Sequence, residues 1–486
     1  MRLLKRTLVS TGMAVCFFAL SVLAQSPAAP PGQSERTMKD GRYLRAEAQL
    51  LDALKSDPQN GSLWFSLGVT RVQLKKIDPA IEAFEKALPI YSEKAPVYFD
   101  LGLLYMEKND LSKAEDAYAR GLALDPSNVP ANQNDALLLM HRGAFNDALV
   151  PLQRLRQAKP SDISTRATLI EAYLKAGLKD QAKIETDELL SSHIITLPQG
   201  LALARLLAAH RETNLCQSIL QSLRSTWPAS AEVHGELGLI LNEREQFNDA
   251  AVELGRSLQI DPGSLKYSLS YVEALISSQQ YSVALEFLQG AQKRFADQSS
   301  FQYQLALTDM CLQRFSEAVD VLEPLTQARP DSSKVQFLLG GAYELQGELQ
   351  KAEDHYRIAI RLGPRESKYY RVLGSMLQKQ GPDHLDESIQ LLRKGLTLDP
   401  TDSETKIVLA RCLEKRGELD DAAALLEQAV VSEPASRRAH SALAELYRRQ
   451  EKLAQAEREQ LIAASLEDQK ITKEWTIWGA QSAGGP

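Results

Sequence analysis

Covalent chemistry needs nucleophiles, acid–base pairs or metal ligands brought close together, so the cysteines and histidines of the 486-residue chain are weighed first. Of four cysteines, Cys16 lies in an apolar N-terminal run. Cys216, Cys311 and Cys412 stand far apart, an odd number without CxxC spacing, which argues against a disulfide framework or a zinc site. They are expected to be buried thiols serving as small apolar side chains. The seven histidines, His141, His193, His210, His234, His355, His384 and His440, form no HExxH and no i, i+4 pair. Neither a Gly-x-Ser-x-Gly elbow nor a phosphate-cradling glycine loop is present. Asp-Pro recurs, as at Asp125-Pro126 and Asp399-Pro400, but as a helix stop and not a catalytic carboxylate. Asn60-Gly61-Ser62 fits a glycan acceptor, which matters only in a eukaryotic secretory pathway. The expectation is a chain with no catalysis, no metal and no cofactor.

With no chemistry to position, the periodic elements become the informative feature. In residues 95–128, Tyr98, Leu101, Gly102 and Tyr105 recur at i, i+3, i+4 and i+7, one face of a helix. Asn109-Asp110 breaks it. Ala114, Tyr118 and Gly121 then mark a second helix, ended by Asp125-Pro126. The pattern returns every 34 residues, with one step of 36, from starts at 61, 95, 129, 163, 197, 231, 265, 299, 333, 367, 403 and 437.

The most faithful position is a small residue in the second helix: Ala80, Ala114, Ala148, Ala182, Cys216, Ala250, Ala284, Ala318, Ala352, Ser388, Ala422 and Ala456. Helices that cross closely leave room for little more than a methyl group there. A leucine recurs in the first helix, from Leu67 and Leu101 to Leu443, with Asp135 and Tyr271 as departures. Gly or Ala follows it except at Ile170 and Val272, and a closing proline recurs from Pro126 to Pro434. This pattern resembles the tetratricopeptide repeat. The resemblance implies an all-α fold, a right-handed superhelical α-solenoid of helix-turn-helix repeats, expected here as one continuous array. It also implies that positions two, five, nine, twelve and thirteen of each repeat face a concave groove.

On this chain those positions in the first three repeats are largely apolar: Phe65, Val69, Val72, Phe99, Leu103, Met106, Leu137 and Met140. Exposed in a row, they would take an apolar helix or extended segment of a protein partner; packed between repeats, they would be core. In repeats ten to twelve the same positions carry a mixed charged lining, among it Arg371, Arg411 and Arg448. Family members that grip a terminal carboxylate use an Asn at position nine. No repeat here has one, so that activity is not carried over. Asp135 stands where leucine is expected: either the helix starts late, with Asp135 near its N-terminus, or the groove is polar there, and the late start is preferred.

Outside the repeats, residues 1–24 combine Arg2, Lys5 and Arg6 with an apolar run from Thr7 to Leu23 and a small-residue end, the layout of a secretory signal. Residues 25–41 read as a Pro-rich flexible tether, 42–60 as an N-terminal half repeat, 61–470 as twelve repeats, and 471–486, with Trp475 and Trp478, as a C-terminal tail. The formal charge is −7, and no Lys/Arg block follows the signal, so nothing points to nucleic acid. The reading is an exported, periplasmic or extracellular scaffold that binds a protein partner in its groove. A second reading is an envelope assembly or secretion component near a membrane complex; a third and weakest is an enzyme with its site in the groove.

Overall fold

The computed structural model describes residues 33–91, 94–192 and 194–466. The signal, the tail with Trp475 and Trp478, and His193 lie outside the described residues. Those described form 25 α-helices and one 3-10 turn, with no strand among them. Helix α1 (Gln33–Ser56) is followed by twelve hairpins, α2/α3 to α24/α25, whose first helices open at Gly61, Ala95, Val129, Ile163, Leu197, Ala231, Leu265, Ser299, Ser333, Ser367, Ser403 and Arg437. Each helix packs mainly on its sequence neighbours. The contacts divide into two compact units meeting at Ser222/Leu223, inside the helix Thr213–Thr226, where one uninterrupted array is expected. A stack in which each hairpin touches only its neighbours has no central core to prevent such a division.

One hairpin shows how the rest are built. Helix α4 (Ala95–Glu107) starts with Pro96 in its first turn and is followed, two residues past its end, by Asn109, whose φ of 63° reverses the chain. The Asp110 side chain then accepts from the Lys113 amide and caps α5 (Leu111–Leu124). The inter-helix turn has positive φ at the same register in all twelve hairpins. Glycine occupies it at 143, 177, 347, 381 and 417, whereas Lys75, Asn109, Arg211, Glu245, Gln279, Gln313 and Glu451 adopt it without glycine's freedom.

The small residue of the second helix is at most 2% exposed in every hairpin. Its two polar versions are both satisfied across the crossing: Cys216 Sγ meets the Ala204 carbonyl at 3.2 Å, and Ser388 Oγ donates to the Gly374 carbonyl at 2.7 Å. Small residues on the first helix take the opposing ring in turn. A Cβ on Gly102 would come within 2.8 Å of the Tyr118 ring, and one on Gly340 within 2.7 Å of Tyr356. Burying a side chain the size of Leu67 in such a seam contributes about 2 kcal/mol.

Two edges depart from expectation. Helix α1 begins at Gln33, so the tether expected over 25–41 overlaps it from 33; after Pro31 no proline opposes a helix. Leu54 of α1 packs with Leu67 and Ala83 of the first hairpin, and Glu47 accepts from Lys76 Nζ at 2.6 Å. In the tenth hairpin the two extra residues are taken up around the three-residue 3-10 turn Pro382–His384, with none of its residues buried.

Candidate functional site

The positions expected to line a groove in the first three hairpins lie on α2 (Gly61–Gln73), α4 and α6 (Val129–Arg142). Phe65, Val69, Val72, Leu103 and Met106 are half-buried: one side packs on the core between hairpins, the other faces out. Met140 is likewise half-buried, and Leu137 is 37% exposed. Phe99 is different. It is 6% exposed and fills the space opened by Gly121, where an added Cβ would come within 2.5 Å of its ring. Phe99 is therefore a core residue and not part of the lining.

Among these apolar residues sits a polar inclusion that periodicity does not reveal. Asp135 is 8% exposed in the middle of α6, which starts at Val129 under the cap of Asn128. The late helix start is thereby corrected: Asn128 accepts from the Ala131 amide, with Pro130 already in the first turn. Burial raises the Asp135 carboxyl to about 6, against the opposing pull of Arg154. One repeat earlier, Asp100 is half-buried on α4, and among the described residues its carboxylate makes no hydrogen bond or ion pair. Burial alone raises it to about 7. Between the two, the Tyr118 hydroxyl finds no hydrogen bond of good geometry, with the Asn134 side chain beside it. The signal in the sequence is the polar residues Asp100, Asn134 and Asp135 at first-helix positions of two successive repeats, where many neighbouring residues are apolar.

The first-helix face of the C-terminal unit is built the opposite way. Lys266 Nζ reaches Glu236 at 3.1 Å, Arg371 Nε reaches Asp402 at 3.3 Å, Arg438 reaches Glu404 at 2.7 Å, and Arg449 Nε reaches Glu414 at 3.0 Å. Each pair joins the first helix of one hairpin to the first helix, or its cap, of the next. Of the expected arginines, Arg371 thus belongs to this ladder, Arg448 donates to Gln460 at 2.8 Å, and Arg411 is exposed. Among the described residues, no ion pair joins the first helices of hairpins one to three.

The remaining chemistry is structural. Cys216, Cys311 and Cys412 are buried free thiols. His234 and His440 each place one ring nitrogen 2.6 Å from a glutamate, Glu253 and Glu459, and the other on a proline carbonyl, Pro228 and Pro434, which ties each hairpin to the loop before it. Among the described residues no group of His, Cys, Asp and Glu could hold a metal ion, and no helix is long and apolar enough to cross a membrane. Two hollows of about 400 and 470 Å³ flank Tyr271 on the second-helix side of the C-terminal unit.

Comparison with known proteins places these observations. Three family models described as tetratricopeptide repeat match residues 36–95, 95–128, 303–367 and 383–446. Cellulose synthase operon protein C of Pseudomonas fluorescens (strain SBW25) is 24% identical over 360 residues, 68% of this chain and 27% of that protein. Anaphase-promoting complex subunit 3 of Dictyostelium discoideum is 31% identical over 90 residues, 18% of this chain and 9% of that protein. The chain thus spans a minor part of the length of both. Among solved structures, yeast Tom70 is 16% identical, with a TM-score of 0.41 over 88% of this chain and 99% of that one. The structure of Naa15/Naa10 bound to HypK-THB is also 16% identical, with a TM-score of 0.43 over 93% of this chain and 76% of that one.

Proposed function

The chain is a tetratricopeptide repeat protein, and from that premise we propose that it is an exported, noncatalytic scaffold that takes an apolar segment of a protein partner onto the concave face of hairpins one to three. The observation that carries this reading is the row Phe65, Val69, Val72, Leu103, Met106, Leu137 and Met140. These side chains are neither withdrawn into the core nor replaced by charge, and such a contiguous apolar face favours a covering partner. Export rests on the layout of residues 1–24.

The test is selection from a random twelve-residue peptide library on the full chain and on the Leu103→Asp/Met140→Asp variant. Apolar peptides should be enriched on the natural chain and lose about tenfold or more in retention on the variant, since charge on a buried apolar contact is strongly unfavourable. Equal enrichment on both, with helicity unchanged, contradicts the reading.

A further inference from the structure

We propose that the concave face at Asp100 receives one lysine or arginine side chain of the bound segment, so that the partner is an apolar stretch with a single basic residue; this rests on the groove reading above. The inference starts from a comparison within the chain. Glu236 occupies in hairpin six the register that Asp100 occupies in hairpin two, and it is met by Lys266, thirty residues later, at 3.1 Å. The residue thirty after Asp100 is Pro130, which has no donor to offer. The position built for a carboxylate–ammonium pair is thus present in hairpin two with only its acid.

Three further observations point outward for the missing donor. Asp100 lies one turn before Leu103 on the same helix face, so its carboxylate shares the surface of the apolar row. The nearby groups deepen the deficit instead of filling it. Asp135 on α6 is a second carboxylate, 8% exposed, and Tyr118 on α5 is 1% exposed with only the Asn134 side chain beside its hydroxyl. Of the other charged groups packed around them, Arg154 and Asp147 on α7 (Phe145–Ala158) act on Asp135, and Glu85 on α3 (Ile77–Tyr91) is taken by the Tyr105 hydroxyl at 2.7 Å. A half-buried carboxylate without a partner is a standing cost to the fold, removed when a cation binds. The raised Asp100 carboxyl, about 7, supports a pH dependence: the basic residue binds the ionised form, so its contribution grows as pH rises through that value.

The experiment is the same library selection on the full chain at pH 8 and pH 5.5, repeated on Asp100→Asn and on Pro130→Lys, which supplies the ammonium internally as Lys266 does. At pH 8 the peptides selected by the natural chain should carry Lys or Arg at one position about tenfold above the library frequency, as a charge-assisted hydrogen bond warrants. That preference should fall towards background at pH 5.5 and in both variants, while the apolar preference remains. Asp100→Asn should also resist denaturation at pH 8 at least as well as the natural chain. Selected apolar peptides without a basic position would overturn this inference and leave the groove reading standing, as would an unchanged basic preference in Asp100→Asn. No enriched peptide at all would overturn both.

Discussion

Two stretches of first-helix face, built on the same repeat, solve the same packing problem in opposite ways. In the C-terminal unit successive first helices are joined by Lys266–Glu236, Arg371–Asp402, Arg438–Glu404 and Arg449–Glu414. In the first three hairpins the corresponding face presents half-buried Val69, Leu103, Met106 and Met140, and a carboxylate at Asp100 with no partner among the described residues. The charged lining is the satisfied one. It looks like a recognition surface in sequence, yet most of its arginines bind their own neighbours, whereas the bland apolar stretch is where surface remains uncovered. Charge therefore marks where the chain holds itself together, and the unsatisfied apolar face marks where a second molecule fits.

The largest effect that could break this comparison lies inside the N-terminal face itself. Phe99→Asp places a charge in the seam against Gly121 and should cost about 4 kcal/mol or more, opening hairpins one to three. Leu103→Asp, four residues on, should cost about 1 kcal/mol while still removing peptide binding. Hydrogen exchange over residues 61–142 separates the two, and similar loss of protection in both would merge core and lining. A smaller effect tests the other face. Arg371→Ala breaks a pair to the residue that caps the helix Ser403–Arg416 and should lower local stability by about 1 to 2 kcal/mol, without changing peptide selection.

An effect of similar size follows from pH. Asp100 is raised to about 7 in the folded chain, above its unfolded value near 4, so its contribution is fully present below the unfolded value and is lost as pH rises through 7. Relative to Asp100→Asn, the natural chain should lose about 1 to 2 kcal/mol in hairpins one to three between pH 5 and pH 8, after discounting for its partial exposure. Denaturation of the two proteins at both pH values reads this difference. A difference that stays flat, or runs the other way, would place Asp100 in solvent or in an existing ion pair.

The fold was legible because it is written many times. Ala114 and its counterparts have to be small for one steric reason, and Leu101 with Gly102 marks the facing helix. Single residues were harder to place. Phe99 looked like lining because position five stands at the border between groove and core; only the missing Cβ of Gly121 lets the ring turn inward. Asp135 suggested a late helix start because a lone acid in a leucine slot resembles a cap, while the true cap, Asn128, had already fixed the beginning of the helix. The ion-pair ladder has no local signature in the sequence because its partners are some thirty residues apart, farther than any window tuned to one helix.

The most direct test of the contrast between the two faces is photo-crosslinking of a library-selected peptide to the full chain carrying a photoreactive residue at position 103 or at position 411. The account predicts an adduct at 103, abolished by Met140→Asp, and none at 411. An adduct at 411, with none at 103, would contradict it.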